Sequence, residues 1–233
     1  MRNIGATLNA SLRNRERMIK RELTIKLPNR FGDFDLIAYT SVGVPEPHLA
    51  LCLGGIGLEG HGWIAVQDEP VLVRIHSECL TGDIFGSALC DCGGQLHHAM
   101  SEVAAYGKGV VLYMRQEGRG IGLLPKLRAY RLQQEEGLDT VEADGRLGYG
   151  ADLRRYGTAA EIIHDLGLRH IRLLTNNPRK VAGLEEAGLR VVERMPIQAP
   201  PNWNNRSYLK AKKDKLGHLL NEIEPAGEKR PWL

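Results

Sequence analysis

Gly157-Thr158-Ala159-Ala160-Glu161-Ile162-Ile163-His164-Asp165-Leu166, Ile171-Arg172-Leu173-Leu174, Pro178-Arg179-Lys180-Val181-Ala182-Gly183-Leu184-Glu185-Glu186-Ala187 and Arg190-Val191-Val192-Glu193 follow one another with only short turns between them. The first and third segments repeat apolar residues at three- and four-residue intervals, the period of a helix buried along one face. The second and fourth are short apolar runs, the pattern of strands. Helix, strand, helix, strand in this order predicts an α/β layer with parallel strands, because parallel neighbours need a crossover and a helix is the usual one.

Toward the N-terminus the pattern predicts helices over 95–106 and 123–134, with a strand at 110–114 between them; Pro125 is tolerable in the first turn of its helix. Farther upstream, short strand candidates at 23–27, 34–40, 48–53 and 71–75 are separated by Pro, Gly and Asp turns. The expected fold class is therefore α/β: a strand-rich N-terminal lobe followed by alternating helices and strands in a mixed, partly parallel sheet. Beyond it, a helix over 207–220, lysine-rich on one side, ends near Gly217. Residues 1–22 read as a basic arm, mobile or helical, and 221–233 as a flexible tail.

The 233 residues suffice for a substantial core. No apolar run approaches the ~20 residues of a membrane-spanning helix, and no secretory signal stands at the N-terminus. Free thiols at metal-like spacing suit a reducing compartment, so a cytoplasmic protein without a membrane partner is expected. The net charge of +3 is uneven: residues 1–22 carry +4, residues 206–233 carry +3, and the segment between them −4. The middle, where the motifs lie, is mildly acidic, which argues against a nucleic-acid partner.

Cys79, Cys90 and Cys92 stand in a C-x10-C-x-C spacing, while Cys52 lies in the apolar run Leu49–Leu53 and reads as core. Three thiolates can hold one divalent metal. Structural zinc sites fill all four positions with protein, whereas catalytic sites keep one for water. On the residues alone two other readings stay open: small buried hydrophobes, or a Cys3His structural site completed by His76.

Two strand-to-helix turns carry cations. In Arg115-Gln116-Glu117-Gly118-Arg119-Gly120-Ile121-Gly122 the glycines let backbone approach a phosphate, and Arg115 and Arg119 are forked cations. In Thr175-Asn176-Asn177-Pro178-Arg179-Lys180, Thr175 and Lys180 can hold phosphate oxygens at a helix N-terminus. Alone the second is a capped turn; with the first and an open metal site it points to a nucleoside triphosphate.

Arg74-x-His76-Ser77-Glu78-Cys79-Leu80-Thr81-Gly82-Asp83, the cysteine loop with Asp91-Cys92-Gly93-x-Gln95-Leu96, Arg115 through Leu123, and Leu174-Thr175-Asn176-Asn177-Pro178-x-Lys180 together resemble GTP cyclohydrolase II. The resemblance covers about residues 23–220, taken as one catalytic domain in a stand-alone form. It implies a cytoplasmic homodimer with one zinc per chain and Mg²⁺ on the GTP phosphates. The implied reaction converts GTP to 2,5-diamino-6-(5-phosphoribosylamino)pyrimidin-4(3H)-one, formate and pyrophosphate, the first committed step of riboflavin biosynthesis. It makes Cys79, Cys90 and Cys92 the zinc ligands, and assigns GTP contacts to Arg74, Ile75, His76, Ser77, Glu78, Gln95, Glu117, Gly118, Arg119, Thr140, Thr175 and Lys180. Tyr130 matches the family's proton-handling tyrosine, Asp152 its acid and Arg154 its proposed nucleophilic arginine. Glu117 is expected to accept from the N1 and N2 edge of guanine.

The chain departs from the family in having Leu89 where an arginine usually precedes the second zinc cysteine, and in the basic N-terminal arm. The Gly54-Gly55-Ile56-Gly57 stretch also lacks an acidic residue often found there. The competing readings are a paralogue serving a secondary-metabolite pathway, and a zinc-stabilised nucleotide-binding regulator without turnover.

Overall fold

The computed structural model describes residues 18–60, 63–150 and 152–226. Strands β1 (Ile19–Asn29), β2 (Gly32–Ser41) and β3 (Val44–Leu53) form an antiparallel meander, followed by a small separate hairpin of β4 (Glu59–Gly60) and β5 (Trp63–Ile64). Then come β6 (Val71–Ser77), the short α1 (Leu80–Asp83), α2 (Cys92–Tyr106), β7 (Gly109–Met114) and a 3-10 turn at Glu117–Gly120. The chain continues through α3 (Leu123–Glu136), α4 (Thr140–Arg146), α5 (Gly157–Asp165), β8 (His170–Leu174), α6 (Pro178–Glu186), β9 (Arg190–Met195) and α7 (Arg206–Asp214).

Seven strands share one mixed sheet in the order β1-β2-β3-β7-β6-β8-β9. The β3–β7 pair is antiparallel, and β7, β6, β8 and β9 run parallel. The expected α/β class is what forms, the strand-rich N-terminal part and the alternating part joining across β3–β7. Central β6 is buried almost end to end, as a parallel strand covered on both faces must be. On one face Val73, Ile75 and Leu112 pack with Ile162 and Ile163 of α5 and Leu184 of α6. On the other, Leu72, Val111 and Leu174 pack with Ala99 and Val103 of α2.

Sequence boundaries give way where tertiary contacts intervene. β1 begins at Ile19, so the last four residues expected in the basic arm are strand; residues 1–17 lie outside the described residues. Arg21 of that stretch forks onto Asp165 at 2.9 and 2.8 Å and donates to the Gly57 carbonyl at 2.6 Å, while Tyr39 donates to the same carboxylate at 2.9 Å. The start of the expected flexible tail is bonded to the rest of the chain. Gln198 donates to the Glu222 carbonyl, and Arg206 forks onto Glu224 at 2.5 and 2.7 Å. Residues 227–233 lie outside the described residues.

Two helices among the described residues went unanticipated, the one-turn α1 and α4. α4 is opened by a capping box: Asp139 accepts from the amides of Val141 (2.9 Å) and Glu142 (3.0 Å), and Glu142 reaches back to the Asp139 amide at 2.9 Å. The Asp139-x-x-Glu142 spacing is a legible start signal. Asp139→Ala is expected to cost about 1 kcal/mol in chemical unfolding, because two orphan amides lose their acceptor.

The parallel strands set the position of everything that follows. Because β6, β7 and β8 point the same way, the segments after Ser77, Met114 and Leu174 emerge together at one sheet edge. This is where open α/β sheets place a ligand crevice.

Candidate active site

β6 delivers Cys79, α1 turns the chain, and Cys90 and Cys92 return at the start of α2. Their three sulfurs lie within 4.8 Å of one another, with Cys79 and Cys90 3.7 Å apart. Gly82 permits this approach: a Cβ there would stand 2.8 Å from the Cys90 sulfur and 3.2 Å from that of Cys79. Hydrogen bonds from Cys90 and Cys92, aided by the Lys126 ammonium, hold the Cys79 thiol far below its ordinary range. The bonds given to Cys79, together with burial, push Cys90 up to about 11 and Cys92 well above the thiol range. Three soft donors gathered around one negative charge form a set that suits a single zinc ion.

His76 takes no part in that set. Its Nε2 pairs with Asp83 at 3.0 Å and its ring stacks on Tyr113, whose hydroxyl donates to Asp83 at 2.9 Å. Asp83 also accepts from the Cys79 amide at 2.9 Å, so this network braces the cysteine loop from below. Cys52 is fully buried in the core, as expected. Gly82→Ala is expected to weaken metal retention at least about tenfold in a chelator competition, whereas Cys52→Ala keeps its metal.

The cysteines open onto a cavity of about 540 Å³ that is also lined by Glu78, Glu117, Tyr130 and Thr140. Glu117 fastens the glycine-rich turn to the cysteine loop: Oε2 accepts from the Leu80 amide at 2.7 Å, and Oε1 from the Gly118 amide and Lys126 Nζ, both at 2.8 Å. Lys126 also donates to the Cys79 sulfur at 3.0 Å. One helical turn on, the Tyr130 ring lies 5.6 Å from that ammonium, and burial pushes its phenol pKa up. Sequence reasoning missed Lys126, although its i,i+4 spacing to Tyr130 on α3 put both on one face.

Arg119 has φ 58°, the one left-handed non-glycine among the described residues, between Gly118 at 60° and Gly120 at 94°. Such backbone costs about 1 kcal/mol or more and persists where the surroundings impose it. Here the guanidinium is received by Asp144 at 2.7 Å and Thr140 Oγ1 at 2.6 Å, both on α4. Arg115, read from the sequence as a second phosphate cation, donates instead to Glu78 at 2.7 Å and the Pro47 carbonyl at 3.2 Å. It lines neither this cavity nor the one beside it.

That second cavity, of about 570 Å³, adjoins the first and shares Ser77, Cys92, Arg119, Arg154 and Tyr208 with it. Arg74, His76, Gln95, Thr175 and Lys180 line it. Arg74 donates to the Leu174 carbonyl at 2.9 Å and to Gln95 at 2.6 Å, and Gln95 in turn donates to Asp91 at 2.6 Å. Lys180 donates to the Ile75 carbonyl at 2.7 Å, while the Ile75 side chain belongs to the core. Neither cation meets a carboxylate among the described residues. Burial draws Arg74 down to about 10 and Lys180 well below the lysine range. Arg74 Nε, His76 Nδ1, Ser77 Oγ and Asn177 Nδ2 are buried without a protein partner. Cations lacking counter-charge beside unsatisfied polar atoms make an anion site.

Arg154 borders both cavities, but Asp152 stands behind it. The pair is bidentate, Nε to Oδ1 at 2.8 Å and Nη2 to Oδ2 at 2.7 Å. Burial opposes the guanidinium charge, yet the Asp152 hydrogen bonds more than offset it and raise the Arg154 pKa.

A family model described as GTP cyclohydrolase II matches residues 20–196. Riboflavin biosynthesis protein RibBA from a Bacillus cereus strain is 56% identical over 214 residues, 92% of this chain and 51% of that protein. The proteins of the same name from Bacillus cytotoxicus and Bacillus mycoides show the same identity and shares. The chain spans about half the length of the curated relatives it matches. Among solved structures, the two-domain 3,4-dihydroxy-2-butanone 4-phosphate synthase RibBX from A. baumannii aligns with a TM-score of 0.43 at 21% identity, covering 83% of this chain and 44% of that one. The match over residues 20–196 takes in the seven-stranded sheet from β1 to β9, the cysteine cluster and both cationic turns, and the chain belongs to the GTP cyclohydrolase II family.

Proposed function

We propose that this chain opens the imidazole ring of GTP by hydrolysis, releasing formate and pyrophosphate and leaving 2,5-diamino-6-(5-phosphoribosylamino)pyrimidin-4(3H)-one, the first committed step of riboflavin biosynthesis. The observation that carries the reading is the junction of two cavities, one holding three sulfurs and the other holding cations without carboxylate partners. We assign the purine to the first and the triphosphate to the second, where the cations without carboxylates lie. Family membership supports the remaining parts: one zinc per chain on Cys79, Cys90 and Cys92, Mg²⁺ on the phosphates, and a homodimer in the cytoplasm. No helix among the described residues is long and apolar enough to cross a membrane.

Zinc, when bound, supplies the Lewis acidity that makes a water nucleophilic toward guanine C8 at neutral pH. Tyr130, kept protonated by burial, delivers a proton to a ring nitrogen as the C–N bond breaks. A carboxylate oxygen can accept two hydrogen bonds. Oε1 of Glu117 is filled and Oε2 accepts one, which leaves one acceptor for the N1 or N2 hydrogens of guanine. Glu117→Gln is accordingly expected to lower the GTP-over-ATP preference roughly tenfold, measured as the ratio of the two dissociation constants. An unchanged ratio would place guanine recognition elsewhere.

Arg74, Thr175 and Lys180, with Mg²⁺, take the triphosphate, and Arg154 faces the α-phosphoryl group between the halves. With Nε and one hydrogen of Nη2 engaged by Asp152, both hydrogens of Nη1 and the second of Nη2 are left for a phosphate. Attack by Arg154 itself requires that a proton first pass to Asp152, and the ion pair opposes this. The geometry therefore favours Arg154 as the cation that stabilises phosphoryl transfer, with water as the attacking species.

Incubating the purified chain with GTP and Mg²⁺ and identifying products by mass spectrometry tests the reading. Formate, pyrophosphate and the diaminopyrimidine together are the expected result. Tightly bound but unchanged GTP would replace it with the regulator reading.

A further inference from the structure

The family match stops at residue 196, yet both cavities are closed by residues beyond it. α7 belongs to a segment read as lysine-rich on one side, and Lys210, Lys213 and Lys215 are exposed. Lys212 is not. Together with Leu209 and Ala211 it is buried, and its ammonium meets Asp91 at 2.6 Å with the carboxylate side chain fully shielded from solvent. Asp91 sits between Cys90 and Cys92, and its other oxygen accepts from Gln95. Just before the helix, buried Asn205 donates to the Cys90 carbonyl at 3.4 Å. Just after it, the Leu219 amide donates to the Asn176 carbonyl at 2.8 Å, in the turn that carries Thr175 and Lys180. Residues 205–219 thus run from the cysteine loop to the phosphate turn and are tied at both ends.

Tyr208 lies midway. Its ring has Lys212 Nζ 4.4 Å from its centroid and the Arg119 guanidinium at 6.0 Å, and it borders both cavities where they join. A ligand with its purine in one cavity and its β- and γ-phosphates in the other must pass its ribose and α-phosphate across that junction. A phenol there offers one hydroxyl donor and an apolar ring edge.

We propose that residues 205–219 form a strap that completes the nucleotide site, with Tyr208 a substrate-binding residue for the ribose–α-phosphate portion and Lys212 a positioning residue that holds the cysteine loop through Asp91. The proposal rests on the guanine-nucleotide reading above only for Tyr208; the Lys212 part concerns the metal loop alone. Removing Lys212 leaves a shielded carboxylate without its cation between two of the clustered cysteines, which costs the loop its geometry.

The test uses the full chain and two readouts. Calorimetric binding of guanosine 5′-(α,β-methylene)triphosphate, GMP and inorganic tripolyphosphate is measured in native protein, Tyr208→Phe and Tyr208→Ala. Tyr208→Phe is expected to weaken the analogue and GMP by a similar factor, about tenfold, and to leave tripolyphosphate unchanged, with Tyr208→Ala weaker still. Native affinity for both nucleotides in Tyr208→Phe and Tyr208→Ala overturns the assignment of Tyr208. A native chain that binds neither nucleotide overturns the guanine-nucleotide reading itself, and the Tyr208 assignment with it. Separately, cobalt(II) affinity is followed by its thiolate charge-transfer absorption under chelator competition. Lys212→Met is expected to lose at least about tenfold, and Asp91→Asn added to Lys212→Met to recover most of it, since the stranded charge is gone. Unchanged cobalt affinity in Lys212→Met, or no recovery in the double variant when its unfolding midpoint is native, overturns the positioning role.

Discussion

Cys90→Ser is expected to release no formate, a loss of at least about a thousandfold, while GTP binding and pyrophosphate release persist. The size follows from what is removed: without a full set of sulfur ligands the site loses its metal, and with it the means of activating water at neutral pH. The selectivity follows from the geometry. All three cysteines line one cavity, Cys92 also bordering the other, whereas Arg74 and Lys180 line only the second and donate to backbone carbonyls and Gln95 rather than to sulfur. The second product should then be GMP, because phosphoryl transfer to water leaves the guanine ring intact. Zinc content by atomic absorption, formate by a coupled assay and nucleotides by mass spectrometry read the three parts separately. Formate from the zinc-free variant would sink the assignment of ring opening to the cysteine site.

Arg154→Ala should do the reverse, retaining zinc but losing pyrophosphate release by about a thousandfold or more, the scale on which cationic phosphoryl-stabilising groups act. Arg154 borders both cavities and brings the guanidinium that Asp152 keeps charged, so its removal strips positive charge from the junction where the proposed cleavage takes place. It also leaves Asp152 buried without its partner, which adds electrostatic repulsion toward phosphate. Asp152→Asn separates the two proposed roles of Arg154. If the arginine acts as a cation, the variant keeps much of its pyrophosphate release, since the charge remains. If the arginine is the nucleophile and needs Asp152 as its base, release falls as far as in Arg154→Ala. Pyrophosphate release at the native rate in Arg154→Ala would remove this residue from the chemistry.

The first prediction draws on a motif legible in the residues themselves, whereas Arg154 and Asp152 stand out only through the family resemblance; the reasons for that difference are physical. A C-x10-C-x-C spacing constrains where three sulfurs can go, and the fold brings Cys79, Cys90 and Cys92 together as that spacing requires. Strand-to-helix turns announce themselves through glycine and proline, so Gly118–Gly122 and Asn177-Pro178 mark two turns that border the adjoining cavities. Arg115 shows the limit of such reading. A cation in a glycine-rich turn is equally available to a carboxylate, and Glu78, on the neighbouring strand β6 and its continuation, takes it. His76 shows the same limit: a histidine near cysteines reads as a ligand until Asp83 and Tyr113 are seen to hold it.

Periodicity and turn chemistry are local, and for that reason the sequence by itself determined the alternation of helices and strands, the α/β class, the cysteine cluster and the two cationic turns. Partnerships between residues far apart in the chain have no local signature. Only the tertiary structure decided that β6, β7 and β8 end side by side, that Lys126 and Glu117 couple the glycine-rich turn to the metal loop, and that Lys212, one lysine among several on a polar helix, turns inward to Asp91. Charge pairing across the fold selects which cation is buried, and that selection is made by the geometry of the sheet edge rather than by any neighbour in sequence.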